Sequence, residues 1–559
     1  MNYRIYKRIT MLFCCLLVFL LLGCNTAASP ESAAIFVPGE IVAPPDYSTH
    51  VYSTNYYIDP VSGDDFKDGL SSANAKKTLT FLESTNLSPD TMIAIKRGTV
   101  LRLTKTIMLK GGTSAGWVAY GSYGSGDKPI ILGSAELLPA AWTETSSGST
   151  IWYADWSSFV DTAESRSATG VEQGPRNLWF FSSSAASATM GGWGWRKQTA
   201  VISSNSNGDW YYDASAKIIY IKSTVGAPPY TEVGVNRRMF DFRGQSYIVM
   251  QDLDLRYGGG YLIAGHSASH LTFRHIDMSY FGGGTKNGSY VRLGNGIEFN
   301  GTINDVSVED CRIHQAYDTG FDQQNTGSSP VIQQNLFFRN NLVSYAGLAS
   351  FEIWARPQGS RIHNLVLEKN TFINAGRGWG YAQHDHSGQA MIGGDIVIFE
   401  NDATGSDIKI QKNLFINPRM VLMCEFKTAQ INTRLLLKGL YMNQNLWCTP
   451  GVGAILFQGT VDNTGTPTLG TSPVYIDLTA WKAGTLDEIT GKDSLSVTAA
   501  NLAAVDFINA VDPADQQSSW IWSTATNAER PQRLGSFALY GDYLRTSPVL
   551  GAGWGWAGP

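Results

Sequence analysis

The chain has little charge, few usable cysteines and only one long apolar run. Charged residues make up 16% of its 559, and the net charge is −5 with a pI near 5.9. A protein that grips nucleic acid through phosphates needs a basic face, so that class is set aside. Of six cysteines, Cys14, Cys15 and Cys24 fall close to the N-terminus. Cys311, Cys424 and Cys448 lack the spacing of a metal site and read as buried thiols, so disulfides do not staple this fold. The apolar run, Met11 to Leu22, is uncharged and comes after the basic residues Arg4, Lys7 and Arg8. It is too short and too early for a comfortable membrane span. It reads as an export signal that takes no part in the fold.

The end of that signal carries a specific motif. Leu21-Leu22-Gly23-Cys24 resembles the lipobox of bacterial lipoproteins, where the signal is cut before the cysteine and its sulfur carries lipid. The resemblance implies a signal over 1–23, a lipidated Cys24 and an Ala/Ser/Pro-rich tether over 24–54. Asn25 stands where an aspartate would imply inner-membrane retention, so an outer-membrane lipoprotein facing the periplasm or the surface is expected. Each buried methylene contributes about 0.8 kcal/mol, so several acyl chains anchor firmly.

Glycine (58), tryptophan (16) and tyrosine (25) are plentiful, which suits many turns and surfaces that stack on sugar rings. Between 55 and 137 the order Tyr56-Tyr57-Ile58-Asp59-Pro60, Gly63-Asp64-Asp65, Asp68-Gly69-Leu70, Lys77-Thr78-Leu79, Arg97-Gly98 and Tyr120-Gly121-Ser122-Tyr123-Gly124 resembles the opening of secreted β-helix proteins that act on polysaccharides. The resemblance implies N-terminal coils and their cap. Over 138–235, short alternating segments with Trp142, Trp152, Trp156, Trp193, Trp195 and Trp210 predict a small β-rich insertion. Its tryptophans suit its own core better than sugar platforms.

The decisive pattern is an internal repeat. A β-branched strand followed by Asn-apolar-apolar occurs at Asn341-Leu342-Val343, Asn370-Thr371-Phe372, Asn413-Leu414-Phe415 and Asn445-Leu446-Trp447. Cys311-Arg312-Ile313 and Ile276-Asp277-Met278 occupy the same frame earlier. The intervals, 29 to 43 residues, leave no room for regular helices and are too uneven for a leucine-rich horseshoe. A solenoid tolerates such variation because each coil touches only its neighbours. Stacked asparagines can satisfy the backbone groups of each bend. The predicted fold is therefore all-β: a right-handed parallel β-helix, pectate-lyase-like, with its core and groove over 236–460 and closing coils and loops over 461–559. A capped helix of this kind needs no partner, so a monomer is expected.

A second strand comes after each asparagine bend, and these strands align as Ile297-Glu298, Phe321-Asp322, Phe351-Glu352 and Cys424-Glu425. Strand side chains alternate faces. With the apolar member inward, Glu298, Asp322, Glu352 and Glu425 form one outward acid row; Asp395 or Glu400 would extend it. Adjacent rungs, about 4.8 Å apart, would give Asp322 and Glu352 the spacing of a retaining glycosidase, and two rungs the upper end of the inverting range. Like charges on neighbouring strands repel, so the row asks for a purpose. Three readings fit it: catalytic carboxylates, a shared calcium ion, or acids solvated or paired with bases such as Lys427 and Arg356.

An insertion between Asn370 and Ile396 carries Arg377, Trp379, Tyr381 and His384-Asp385-His386. His384 with Asp385 would act as or orient a base; a metal site lacks a third ligand. Trp354 and Trp379 would stack on sugars or pack the loop.

The mature chain resembles the right-handed β-helix proteins of polysaccharide breakdown, which include glycoside hydrolases, polysaccharide lyases and uronate epimerases. The resemblance implies an extended glycan along one sheet. No family's catalytic motif is matched, so the site expectation rests on the aligned coils. The first expectation is a hydrolase using Asp322 and Glu352, supported by Glu298 and Glu425. The second is a lyase on a uronic-acid polymer, with calcium on the acid row and Arg356, Arg377, Lys427, Tyr381 and His384 serving neutralisation and base roles. The third is a non-catalytic surface glycan-binding protein. An acidic groove without a firmly implied cofactor suits a neutral glycan and favours the first.

Overall fold

The computed structural model describes residues 50–159, 174–181, 190–197, 199–285, 292–325, 327–355, 359–383, 393–399 and 404–416, with shorter stretches between 418 and 498. The signal, Cys24, Arg356, His384, Asp385 and Glu400 lie outside the described residues. So do the side chains of Glu425 and Lys427.

Each coil of the main body lays down three short strands, one on each of three faces, and every coil pairs in parallel with the next. One face is a 10-stranded sheet running from Val100–Arg102 through Asp254–Arg256, Arg312–Ala316 and Leu342–Ser344 to Val497–Thr498. A second carries Ile248–Gln251, Ile332–Arg339, Arg361–Glu368 and Ile408–Gln411. The third holds β1 (Phe240–Asp241), β2 (Ile263–Arg274), β3 (Ile297–Glu309), β4 (Thr319–Asn325), β5 (Ala349–Ala355), β6 (Gly394–Phe399) and β7 (Val421–Thr428), stacked in that order. Strands β2 and β3 run on around the corner onto the second face. This is a parallel β-helix, with the right-handed coil that parallel crossovers adopt.

The corners explain the repeat. The residue before each asparagine frame, Asp310, Asn340, Lys369 or Lys412, has a positive φ of 53 to 58°, a left-handed bend that non-glycine residues seldom adopt. The asparagine then repays the bend. Asn341, Asn370 and Asn413 are fully buried, and each places its Oδ1 on the preceding coil's backbone N–H and its Nδ2 on a backbone carbonyl. The Nδ2 groups also donate from coil to coil, Asn341 to Asn370 to Asn413 to Asn445. Cys311 heads this ladder as a buried thiol pushed up to about 12 by burial, its N–H donating to Asn341 Oδ1 at 2.9 Å.

Inside, the columns are apolar. Ile263, Ile297, Phe321, Phe351, Ile396 and Met423 share one register position, and Phe338 stacks edge-on against Phe351 at 4.8 Å. The β-rich insertion begins at Ser134–Leu137, which pairs antiparallel with Tyr230–Val235. Trp142, Trp156 and Trp210 lie buried in its core, and Trp193 in the aromatic cluster beside it. These tryptophans are therefore packing residues and not sugar platforms.

Candidate functional site

The parallel register settles which acids share a column. Glu298 pairs with Asp322, and Asp322 with Glu352, so three carboxyl groups occupy consecutive rungs of β3, β4 and β5. On β6 the column continues as Val397 and on β7 as Cys424. Glu425 is one residue out of register, at the position of Ile398 and Ile353. A one-residue slip exchanges the two faces of a strand, so Glu425 is not part of the row. In Met423-Cys424 two apolar residues adjoin, and alternation alone does not say which is the inward one. Asp395 sits two residues before the column, opposite Ser350, whose Oγ donates to its Oδ1 at 3.3 Å; it shares the face but not the column.

Gly296 stands just before β3 and Gly320 is the second residue of β4. A Cβ on Gly320 would lie 2.7 Å from both Ser350 O and Val343 Cγ1. The chain therefore turns into the acid strands too closely for any side chain.

The acids turn away from the core column, yet open water does not reach them. Glu298 is 4% exposed, Asp322 0% and Glu352 4%. The acids keep the outward direction expected of them, but the reading in which they are solvated does not hold: the solenoid's outer wall is covered here. Asp322 Oδ2 accepts from Asn295 Nδ2 at 2.5 Å and from Gln324 Nε2, while its Oδ1 is buried without a hydrogen-bond partner. Burial, then the charges of Glu352, Glu298 and Asp318, hold Asp322 well above the ordinary carboxylate value, against the Gln324 bond. Glu352 is likewise held well above it by burial, Asp318 and Glu298, with Arg292 opposing.

Several residues of this site were not singled out in the sequence. Asp318, four residues before Asp322, is buried and pushed up to about 7, first by burial and then set between Arg292, which lowers it, and Glu298, which raises it. Arg292 is 2% exposed and donates through Nη1 to Tyr317 O at 3.3 Å. Asp241 extends the column two rungs beyond Glu298. Burial would raise it, but Arg238 at 2.7 Å and Arg243 at 2.8 Å hold it below the usual range. Arg238 also reaches Glu298 at 3.9 Å. The alternation Phe240-Asp241-Phe242 carried the signal for Asp241; nothing local marks Asp318 or Arg292, whose partners come from other coils.

The other expected site residues divide. Trp354 is half-buried on the acid face, two residues past Glu352, its ring 5.9 Å from Phe399. Trp379, on the short helix α1 (Gly378–Gln383), is fully buried against Trp179 and Tyr317, with Nε1 donating to Gln315 O at 2.7 Å. It packs the loop and offers no ring face to a sugar, because the apolar cluster of Trp179, Tyr257 and Tyr317 claims it. Tyr381 is half-buried under the Arg419 guanidinium at 4.0 Å, and Arg377 is half-buried at the start of the same turn. Lys427 lies three residues past Cys424 in β7, at the register of Thr460. Among the described residues no three His, Cys, Asp or Glu side chains converge on one point as metal ligands.

Carboxyls held protonated by burial contribute stability below their unfolded value and lose it as pH rises through the folded one. For Asp318, Asp322 and Glu352 the window runs from about 4 to about 7 for Asp318, and higher for the other two. The urea midpoint of Asp322→Asn should therefore exceed that of the wild type by more at pH 8 than at pH 5. An equal difference at both values would mean that the row ionises freely.

No protein-family model matches the chain, and none of the curated proteins matches it. Solved structures do. A GH136 lacto-N-biosidase from Eubacterium ramulus aligns at 13% identity with a TM-score of 0.42, covering 73% of this chain and 57% of that one. The chain thus spans little over half of that structure. A glycoside hydrolase aligns at 10% identity and TM-score 0.38, covering 73% and 95%. A pectate lyase aligns at 11% identity and TM-score 0.33, covering 74% and 76%. At these values the likenesses carry no argument about chemistry.

Proposed function

We propose that the protein is a glycoside hydrolase whose working pair is Asp322 and Glu352. It would cleave a polysaccharide at the cell envelope, held there by lipid on Cys24. The observation that carries this reading is the register: three buried carboxyl groups on consecutive rungs, two of them held above the usual carboxylate range by burial and by neighbouring acids. Such a stack is costly to build, and raised carboxyls are what a general acid requires.

Adjacent rungs are about 4.8 Å apart, close to the roughly 5 to 5.5 Å of retaining glycosidases. In that chemistry Glu352 first yields its proton to water, the remaining proton of the pair staying on Asp322, and a Glu352 carboxylate oxygen then bonds to the anomeric carbon as the bond to the leaving group breaks. Asp322 gives its proton to the departing oxygen. Water then bonds to the same carbon, the bond to Glu352 breaks, and Asp322 takes the proton that water releases. Glu298 adds negative charge that stabilises a developing oxocarbenium ion. Trp354 is suited to stacking on a sugar ring beside the pair. The ionised Glu298 and Glu352 would repel a polyanion, so a neutral glycan fits best.

One observation favours a lyase as the second reading. Arg292 keeps Nε and Nη2 buried without hydrogen-bond partners, and such a guanidinium could neutralise a uronate carboxylate. The discriminating experiment incubates the purified full chain in detergent with neutral and uronate-containing polysaccharides, with and without chelator. Reducing ends without ultraviolet-absorbing product, unaffected by chelator, are expected. An unsaturated, ultraviolet-absorbing product would sink the hydrolase reading. Silence on every glycan would leave a binding protein.

A further inference from the structure

We infer that Asp322 is the proton-bearing member of the row, with its proton on Oδ1, and that Asn295 and Gln324 are the positioning residues that place it there. The inference deepens the hydrolase reading and rests on it for its catalytic meaning, but the proton's location is a property of the resting protein.

Three observations lead to it. The first is position. Asp322 stands on the middle rung, one rung from Glu298 and one from Glu352, about 4.8 Å each way. The outer two are separated from each other by two rungs. Ionising Asp322 sets its charge against Glu352, Glu298 and Asp318, whereas Glu352 meets Asp318 and the more distant Glu298 with Arg292 opposing. Glu298 also has Arg238 at 3.9 Å to balance its charge. Asp322 is thus the last of the three to give up a proton.

The second observation fixes which oxygen holds that proton. Asn295 is 1% exposed, and its Oδ1 faces the Thr319 backbone N–H at 3.3 Å. A backbone N–H can only donate, so the oxygen end of the amide must face it and the Nδ2 end must face Asp322. Asp322 Oδ2 then receives an N–H at 2.5 Å. Gln324, on the same strand face two residues on, donates from Nε2 to that same oxygen. An oxygen that accepts two amide donors has no room for its own hydrogen.

The third observation concerns the other oxygen. Asp322 Oδ1 is buried and has no hydrogen-bond partner. The proton excluded from Oδ2 resides there. The anti-cooperative neighbours set how firmly the proton is held, and the amide clamp sets where it sits.

Donors to a carboxylate favour its charged form, so removing one raises the Asp322 value further. A hydrogen bond to a charged group corresponds to about one pKa unit or slightly more. The test uses Gln324→Met, which keeps the volume of a half-buried side chain, alongside Asn295→Ala. Infrared difference spectra against Asp322→Asn follow the carboxylic C=O band of Asp322 as pH is raised, without any substrate. Loss of that band should move to higher pH by about one unit in each variant. The alkaline limb of kcat on a cleaved glycan should move with it. A band that titrates at the wild-type pH in Gln324→Met, with the variant folded, overturns the inference. A band that shifts while the wild type cleaves no glycan upholds the proton placement and removes the hydrolase reading alone. A purely packing role for either amide would lower the urea midpoint and leave both titrations where they were.

Discussion

Glu352→Gln should lower turnover on a susceptible glycan by about 10² to 10⁴-fold, the range spanned by positioned acid–base groups. The substitution keeps the shape of the side chain and removes its capacity to carry charge or form a bond to carbon. Glu352 is 4% exposed and lies one rung from Asp322, so no water-borne buffer can take its place. KM should change far less than kcat, because the group acts on the anomeric centre and not on the flanking sugars. Glu425→Gln gives the contrast: it sits one residue outside the column, out of line with Asp322, and should leave turnover within about twofold. Kinetics on the two variants separate the register from a mere abundance of acids. If Glu425→Gln fell as far as Glu352→Gln, the column assignment would be wrong.

Asn370→Ala should destabilise the solenoid by about 3 to 5 kcal/mol. Asn370 is fully buried. Its Oδ1 accepts from the Asn341 N–H and Nδ2, both at 3.0 Å. Its Nδ2 donates to Phe338 O at 2.9 Å and to Asn413 Oδ1 at 3.0 Å. Alanine would strand a backbone N–H and a backbone carbonyl in a dry interior, each costing about 1 to 3 kcal/mol. It would also break the ladder between its neighbours. The Lys369 bend just before it, at φ 58°, would lose the bonds that hold it. Urea denaturation of Asn370→Ala against wild type tests this, and a loss below about 1 kcal/mol would show that the bends are held by apolar packing instead.

The solenoid was legible because its signal repeats. Asn341, Asn370, Asn413 and Asn445 mark the same bend, and one bend read correctly fixes the next. The adjacency of Glu298, Asp322 and Glu352 was legible for the same reason, since each comes directly after a single apolar residue of the inward column. Glu425 was misplaced where that signal fails, in the adjoining apolar pair Met423-Cys424. Burial was less readable. Whether an outward-facing acid meets water depends on what folds over it, and Arg238 reaches Glu298, as Asn295 reaches Asp322, from an earlier coil. Asp318 belongs to the same class: its surroundings are long-range, so no local pattern announces it. Trp379 shows the converse, an aromatic in a loop that reads as a sugar platform until Trp179 and Tyr317 close around it.

Stacking in fixed register has a consequence for how such a site can change. Carboxyls carried on parallel rungs are separated by whole multiples of about 4.8 Å, so the backbone acts as a ruler with coarse graduations. One graduation suits a direct attack by the second carboxyl, and two leave space for a water molecule between. Val397 already occupies the next graduation beyond Glu352, and Ala264 the one between Glu298 and Asp241. An acid introduced at either site, with one removed from the middle, would change the separation without moving a single strand. On such a scaffold the stereochemical course of a reaction can be exchanged by two substitutions, in one jump and with no intermediate spacing to pass through.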